Sequence, residues 1–151
     1  MKISYKGDYA LKAILDLSYK FKEKRAVSIS EISKRQNIPA QYLEQIMLAL
    51  KGAGMIGSKR GVGGGFFLKK APDNIFIGDV VRKVEGPLEP IACGRKKHDY
   101  SCGEEDACVF REIWVNVTEA ISEIVDNVTF ADIMRRDREI KRKTIGYMYN
   151  I

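Results

Sequence analysis

Apolar side chains recur at helical spacing near the start of the chain, which predicts an amphipathic helix over residues 4–21 behind a serine N-cap. Ser28 followed by Glu31 is a capping-box pattern and predicts a second, short helix that ends at Gln36. A third helix is predicted from residue 40 to about residue 51. Two short helices joined by a tight turn are typical of a helix-turn-helix.

The third predicted helix has an apolar stripe and a polar face. Most of the polar face lies in its first half and consists of Gln41, Tyr42, Glu44 and Gln45. Residues 55–60 and 66–69 are predicted to be two strands, joined by a glycine-rich tip at residues 61–65. A basic hairpin directly after a helix-turn-helix predicts a wing, in which Lys59 and Arg60 are suited to DNA phosphates or the minor groove. The tip lacks the Gly-Lys-Ser/Thr ending of a nucleotide phosphate loop.

The second half of the chain is predicted to be helical around one long loop. A short helix is expected over residues 77–84, and residues 87–107 lack apolar periodicity. From residue 109 a long apolar helix that includes Trp114 is predicted to pair with a second copy of the chain. A short helix at residues 129–134 and a charged tail are expected to follow. The predicted fold class is mainly α with a small β-hairpin wing: a winged helix-turn-helix domain plus a long dimerisation helix.

Composition and charge narrow the class of protein. The 151 residues are 45% hydrophobic and 30% charged, which is ordinary for a globular chain. The net charge of +6 and the pI of about 9.2 favour a polyanionic partner such as double-stranded DNA. The N-terminus lacks the pattern of a signal peptide, so we expect a cytoplasmic protein. Because no nucleotide fingerprint or Ser/His/Asp constellation is evident, we do not expect an enzyme.

The cysteines suggest a sensor. The chain has three, Cys93, Cys102 and Cys108, in the spacing C-x8-C-x5-C. Thiolates are the usual ligands of iron–sulfur clusters, and three on one loop can surround one cluster. Two alternatives remain: a zinc site of three thiolates and His98, or thiols that act as redox sensors without a metal.

Several local sequences together carry a resemblance to a known family. They are YALKA at residues 9–13, SEIS at 30–33, YLEQI at 42–46, GGGF at 63–66 and IGDVVRKVEG at 77–86. In this order, and with the cysteine loop and the long helix that follow, they resemble the Rrf-type winged-helix regulators. That bacterial family includes IscR, NsrR, RirA and CymR. The resemblance covers about residues 1–135.

The resemblance implies a homodimer whose long helices cross, with one recognition helix and one wing on each half of a near-palindromic operator. It implies two sets of DNA-binding residues. Those on the recognition helix are Gln41, Tyr42, Glu44 and Gln45. Those on the wing are Ser58, Lys59, Arg60 and Gly63. Glutamine can pair with adenine, glutamate can accept from cytosine, and arginine suits a narrow minor groove.

The resemblance also implies an iron–sulfur cluster, with 4Fe–4S favoured over 2Fe–2S. Its thiolate ligands would be Cys93, Cys102 and Cys108. In the NsrR branch an aspartate from the first helix of the other subunit completes the ligand set, and Asp8 stands at the matching place. In the IscR branch a histidine follows the third cysteine by three residues, but this chain has Arg111 there. His98, the only histidine, is the second candidate for the fourth ligand.

These expectations divide the chain into four parts: residues 1–86 as the DNA-binding domain, 87–108 as the cysteine-containing sensor loop, 109–135 as the dimerisation helix and the short helix after it, and 136–151 as a basic tail. The predicted function is a transcription regulator, and we expect a repressor, that senses redox state, nitric oxide or iron–sulfur status through its cluster. The alternative is a cluster-free winged-helix regulator controlled by thiol oxidation, zinc or a protein partner.

Overall fold

The computed structural model describes residues 3–94 and 108–148, with side chains through residue 144. Within these residues the chain forms six α-helices and a two-stranded antiparallel sheet. The helices are α1 (Tyr5–Lys20), α2 (Ile29–Gln36), α3 (Ala40–Gly52), α4 (Ile77–Glu85), α5 (Arg111–Val125) and α6 (Phe130–Met148). The strands are β1 (Ile56–Lys59) and β2 (Gly65–Leu68). No helix in the described part of the chain combines the length and the apolar character needed to cross a membrane.

Local capping fixes the helix-turn-helix. The hydroxyl of Ser4 accepts hydrogen bonds from the first turn of α1. Ser28 and Glu31 form the predicted capping box at the start of α2, because each side chain bonds the backbone N–H of the other residue. Asn37 ends α2 in the left-handed conformation, with φ of 51°. The predicted helix-turn-helix is therefore confirmed, and the ends of its helices follow from short-range signals.

The hydrophobic core lies between α1, α3 and α4, with the wing and the start of α6 at its edges. Its fully buried side chains come from all of these elements and include Ile14, Leu17, Leu43, Ile46, Leu50, Ile56, Val80 and Phe130. α1 contacts α2, α3, α4, α6 and β2, so it is the central support of the domain. The recognition helix is thus held by its buried stripe, while its other face is left for solvent.

The wing is a short hairpin fixed along one edge. Ser58 pairs with Phe66, and on the outer edge of β2 Phe66 also exchanges two backbone hydrogen bonds of 2.8 Å with Val27. Gly65, with φ of +150°, has no room for a side chain, because a Cβ there would lie 2.3 Å from the carbonyl oxygen of Val27. The segment between α1 and α2 is therefore joined directly to the wing.

The C-terminal helix α6 is longer than the sequence analysis predicted. The short helix at residues 129–134 and the tail from residue 136 are one helix as far as Met148. Thr129 and Asp132 form a capping pair at its start. Beyond it, the charged residues are good helix formers, and Lys141 pairs with Asp137 one turn earlier at 2.6 Å. The prediction of a tail was wrong because it treated charge as a sign of an unstructured segment.

Helix α6 also packs against α1. The hydroxyl of Tyr19 on α1 donates to the carboxylate of Asp137 and lies 3.4 Å from the carbonyl oxygen of Met134. Burial, together with the hydrogen bond to Asp137, raises the pKa of Tyr19 to about 12. Charged residues of α6 beyond residue 135 therefore have a tertiary contact that a solvated tail would lack.

The capping box at α2 gives a prediction that depends on pH. Hydrogen bonds from the backbone N–H and hydroxyl of Ser28 lower the pKa of Glu31 below its ordinary value of 4.5. A lowered pKa stabilises the fold above 4.5, and this contribution is lost as the pH falls through the shifted value. We expect Ser28→Ala to lower the free energy of unfolding by about 1 kcal/mol at neutral pH. The difference from wild type should shrink as the pH falls below 4.5.

Urea unfolding at neutral pH and at several pH values below 4.5 measures this effect. The matched control is Ser30→Ala, an exposed serine on the same first turn outside the capping box. It should change stability by less than about 0.5 kcal/mol. Equal losses for the two variants, or a Ser28→Ala difference that does not vary with pH, would contradict the role given to the capping box.

Candidate nucleic-acid interface and cysteine site

The polar face of α3 points away from the core. Leu43, Ile46, Met47 and Leu50 are buried against the domain. The four residues expected to read DNA are exposed: Gln41, Tyr42, Glu44 and Gln45. Tyr42 is 54% exposed, and its ring makes an edge-on contact with Tyr9 of α1 at a centroid distance of 6.2 Å. This arrangement leaves hydrogen-bonding groups of the first two turns of α3 open to a ligand.

The wing carries its predicted residues on the surface. Ser58, Lys59, Arg60 and Gly63 are all exposed. A backbone hydrogen bond of 2.9 Å from Gly64 to Gly61 closes the tip, where Gly61 and Gly63 have φ of 89° and 70°. Lys59 and Arg60 make no ion pair with any residue that the structure describes. Two free cations therefore lie next to a glycine-rich turn, in which Val62 has the only side chain and is exposed, and this suits the approach of a phosphate backbone.

A buried carboxylate fixes the angle between α1 and α2. The side chain of Asp16 is only 5% exposed, and its two oxygens accept hydrogen bonds of 2.9 and 2.7 Å from the guanidinium of Arg35. Gln36 donates a third bond of 3.1 Å. The hydrogen bonds to Asp16 raise the pKa of Arg35. Because α2 packs on α3, this network also sets the position of the recognition helix.

Two of the three cysteines border α5, one in a turn packed on this helix and one just before its first residue. Cys93 is in a 3-10 turn, Ala92–Gly94, and Cys108 precedes the helix by three residues. Both are free and half-buried. Gly94 packs so closely on α5 that a Cβ would lie 3.1 Å from the hydroxyl of Thr118. Cys102 and His98 lie in residues 95–107, outside the described residues.

The donor set suits a thiolate-bound metal group. Cys93 and Cys108 lie in segments that border α5, and Cys102 lies between them in the sequence. Three thiolates in one such segment can surround one cluster. Among the described residues no group of three Cys, His, Asp or Glu side chains comes together.

Asp8 lies in the first turn of α1 and begins a series of contacts that ends on the recognition helix. Its carboxylate is 2.6 Å from the ammonium group of Lys12, and both side chains are nearly half exposed. The ammonium of Lys12 lies 5.7 Å from the centre of the Tyr9 ring, which contacts Tyr42. This series of contacts thus connects Asp8, a candidate ligand, with Tyr42, a candidate DNA-reading residue. Lys12 and Tyr9 lie between them.

The sequence analysis missed three residues of these sites. Asp16 and Arg35 were not singled out, although an aspartate between the apolar positions Ile14 and Leu17 is a signal of a buried charge. Lys12 was missed as well, although its i,i+4 spacing from Asp8 is typical of a helical ion pair.

Comparisons with known proteins agree with this geometry. The family model described as "Rrf2: Iron-dependent Transcriptional regulator" matches residues 3–136. The regulator CymR of Bacillus subtilis is 35% identical over 133 residues, covering 88% of this chain and 89% of CymR. The regulator IscR of Erwinia tasmaniensis is 32% identical over 160 residues, covering 99% of this chain and 94% of IscR.

Solved structures give the same result. The structure of B. subtilis CymR, described as the global cysteine regulator, has a TM-score of 0.73 at 33% identity and covers 90% of this chain and 98% of its own. The structure of T. potens IscR also has a TM-score of 0.73, at 35% identity, and covers 93% of this chain and 90% of its own. The winged-helix architecture and the type of protein are therefore shared with transcriptional regulators.

Proposed function

The chain belongs to the Rrf2 family of transcriptional regulators, and we propose that it represses transcription as a homodimer on a near-palindromic operator, under control of an iron–sulfur cluster. The observation that carries the DNA-reading part is the exposed polar face of α3 beside the free cations of the wing. Gln41 and Gln45 offer paired donors and acceptors to adenine, and Arg60 suits the minor groove. Glu44 would select for cytosine and repel phosphate, so it adds specificity more than affinity.

The apolar surface of α5 supports the proposed second copy. This helix has no buried residue within one chain, and Ile113, Trp114 and Ile124 are 53%, 37% and 67% exposed. An exposed apolar face of this size is typical of a protein interface. Antiparallel or crossed pairing of two α5 helices would cover it and bring two recognition helices to one duplex.

For sensing, we propose that Cys93, Cys102 and Cys108 hold a 4Fe–4S cluster and that Asp8 of the partner subunit supplies the fourth ligand. The support is that the 3-10 turn with Cys93 packs on α5 and that Cys108 precedes the same helix by three residues, beside the proposed dimer interface. When bound, the cluster supplies reactivity toward oxygen and nitric oxide. The chain's own contribution is to hold the Cys93 and Cys108 thiolates in the segments that border α5.

The side chains from Asp8 to Tyr42 offer a route from the sensor to the DNA. Asp8 neutralises Lys12, and Lys12 lies over the Tyr9 ring that supports Tyr42. If Asp8 bound another group, Lys12 would lose its ion pair with Asp8. The Tyr9 ring, which Lys12 contacts, would then change position. The position of Tyr42 on the recognition helix is therefore expected to depend on which group Asp8 contacts.

The test is an analysis of protein purified without oxygen. We expect a brown protein with about four iron and four sulfide per chain, and loss of both in Cys102→Ser. Asp8→Asn should lose iron faster than wild type on exposure to air, whereas His98→Ala and the control Asp73→Asn, an exposed acid elsewhere, should not. Loaded and cluster-free protein should differ in affinity for a duplex selected by the protein from a random pool. Equal affinity in the two states would contradict the sensor.

One alternative is favoured by a specific observation. Cys93 and Cys108 are half-buried free thiols, and a similar solved structure is described as the global cysteine regulator. A protein that stays colourless after anaerobic reconstitution but still binds DNA would favour control by thiol oxidation, zinc or a protein partner. Zinc analysis and thiol titration would then separate these possibilities.

A further inference from the structure

A basic groove lies between the end of α1 and the wing. It encloses about 560 Å³. Its floor is apolar and includes Leu17, Phe21 and Phe67. Its rim carries five cations, Lys20, Lys22, Lys24, Arg25 and Lys59. Four of these come from a single six-residue stretch, so the segment between α1 and α2 is strongly basic.

Most of this charge is not neutralised. Lys20 pairs with Glu23 at 2.9 Å, and Arg25 pairs with Glu31 at the start of α2. Lys22, Lys24 and Lys59 make no ion pair with the residues in 3–94 and 108–148. All three are exposed. Three ammonium groups side by side repel one another, and an external anion would relieve this repulsion.

The backbone holds the basic segment in place. Lys24 has φ of 50°, a left-handed conformation that glycine or asparagine adopts more readily, and its N–H bonds the carbonyl of Phe21 at 3.1 Å. Three residues later, Val27 is joined to β2 by two backbone hydrogen bonds. The lysines are therefore carried by a turn fixed to the wing.

We propose that this groove binds the sugar-phosphate backbone of duplex DNA just outside the bases that α3 and the wing read. The inference rests on the proposed DNA-binding function and extends its contact surface. Lys59 belongs to both the wing and the groove, so the two positive surfaces are continuous. The exposed, unpaired lysines suit a polymer of phosphates, whereas a specific site for a small anion would bury part of the charge.

The experiment compares Lys22→Gln/Lys24→Gln with the control Lys70→Gln/Lys83→Gln. The control removes the same charges at exposed positions bordering a different groove. Binding of each protein to a 30-base-pair duplex selected from a random pool, and to an unrelated duplex, is measured by fluorescence anisotropy over a range of salt concentrations. Circular dichroism melting checks that all variants are folded.

For the groove variant we expect the slope of log affinity against log salt to become shallower by about 2 to 4 per dimer, because each phosphate contact contributes about 0.9 and each protomer loses two. The ratio of affinities for selected and unrelated duplex should not change. Shortening the duplex to its central bases should weaken wild type and leave the groove variant unaffected. The control should retain the wild-type slope.

An unchanged slope in the groove variant, or the same change in the control, would overturn the inference while leaving DNA binding by α3 and the wing intact. A change in the affinity ratio would also overturn it, because the lysines would then affect base reading. Failure of the wild-type protein to select any duplex would instead count against the proposed function itself.

Discussion

Substitution of Ile113 and Ile124 by glutamate is expected to produce a folded monomer whose affinity for its operator is lower by about 100-fold or more, the factor typically lost when two linked sites act singly. The two positions are eleven residues apart on α5, close to three turns, so both lie on one face. Both are more than half exposed in one chain. In the proposed dimer each glutamate would be buried without a partner of opposite charge. The free-energy cost of burying these carboxylates is large enough to prevent the two α5 helices from pairing.

The fold of the single chain should survive this change. α5 contributes no buried residue to the core, whose members lie on α1 to α4, the wing, the segments that join them and the first residue of α6. An ion pair also joins α5 to α4 and does not involve the apolar face of α5. In it, Arg82 donates two hydrogen bonds, of 2.6 and 2.8 Å, to Asp126. The lost affinity would therefore come from separation of the recognition helices and not from unfolding.

Analytical ultracentrifugation gives the mass, circular dichroism the fold, and anisotropy the affinity. The matched control is Ile113→Leu/Ile124→Leu, which keeps an apolar side chain at both positions and should remain a dimer with nearly normal affinity. A glutamate variant that stays dimeric and binds DNA normally would show that another surface joins the subunits. An unfolded glutamate variant would show that α5 belongs to the core.

The parts of the fold that the sequence predicted depend on short-range signals. The capping box at Ser28, the left-handed Asn37 and the glycine-rich wing tip each act within a few residues, so their patterns can be recognised without the tertiary structure. The full length of α6 also had local signals, namely helix-forming charged residues and the i,i+4 pair of Asp137 with Lys141. The packing of α6 on α1 had none, because the hydrogen bond from Tyr19 to Asp137 joins residues distant in the sequence.

In the candidate site, too, some features follow from short-range sequence signals and others depend on the tertiary structure. The exposed face of α3 follows from helical periodicity, and the structure places Gln41, Tyr42, Glu44 and Gln45 on it. The contact of Tyr9 with Tyr42 depends on the crossing of two helices, which periodicity does not give. The ligand role of Cys102 and His98 stays a prediction, since they lie outside the described residues.

The second large effect is expected at the buried carboxylate of α1. Arg35→Met should lower the free energy of unfolding by about 3 kcal/mol, because removing one partner of a buried ion pair leaves the other charge unpaired. Asp16 is 5% exposed and would keep only the hydrogen bond from Gln36. For a chain of this length the melting temperature should fall by about 6–12 °C.

Removing the charge of Asp16 should lower the free energy of unfolding less than removing Arg35 does. In Asp16→Asn the unpaired group is Arg35, whose side chain is already 39% exposed and can be hydrated, so we expect a loss of about 1 kcal/mol. The double variant should lose less stability than the sum of the two single variants, because it lacks the Asp16 carboxylate whose unpaired charge destabilises Arg35→Met. Arg25→Met, which breaks an exposed pair with Glu31, is the control and should cost less than about 0.5 kcal/mol.

Urea unfolding of all four variants at one protein concentration measures these differences, since the stability of the proposed dimer would depend on concentration. Because Asp16 fixes α2, and α2 packs on α3, Arg35→Met should also weaken binding to the selected duplex relative to wild type. Additive losses in the double variant would mean that Asp16 and Arg35 stabilise the domain independently. A stable Arg35→Met protein with weakened DNA binding would instead place Arg35 at the DNA, with its contact to Asp16 serving only to orient it.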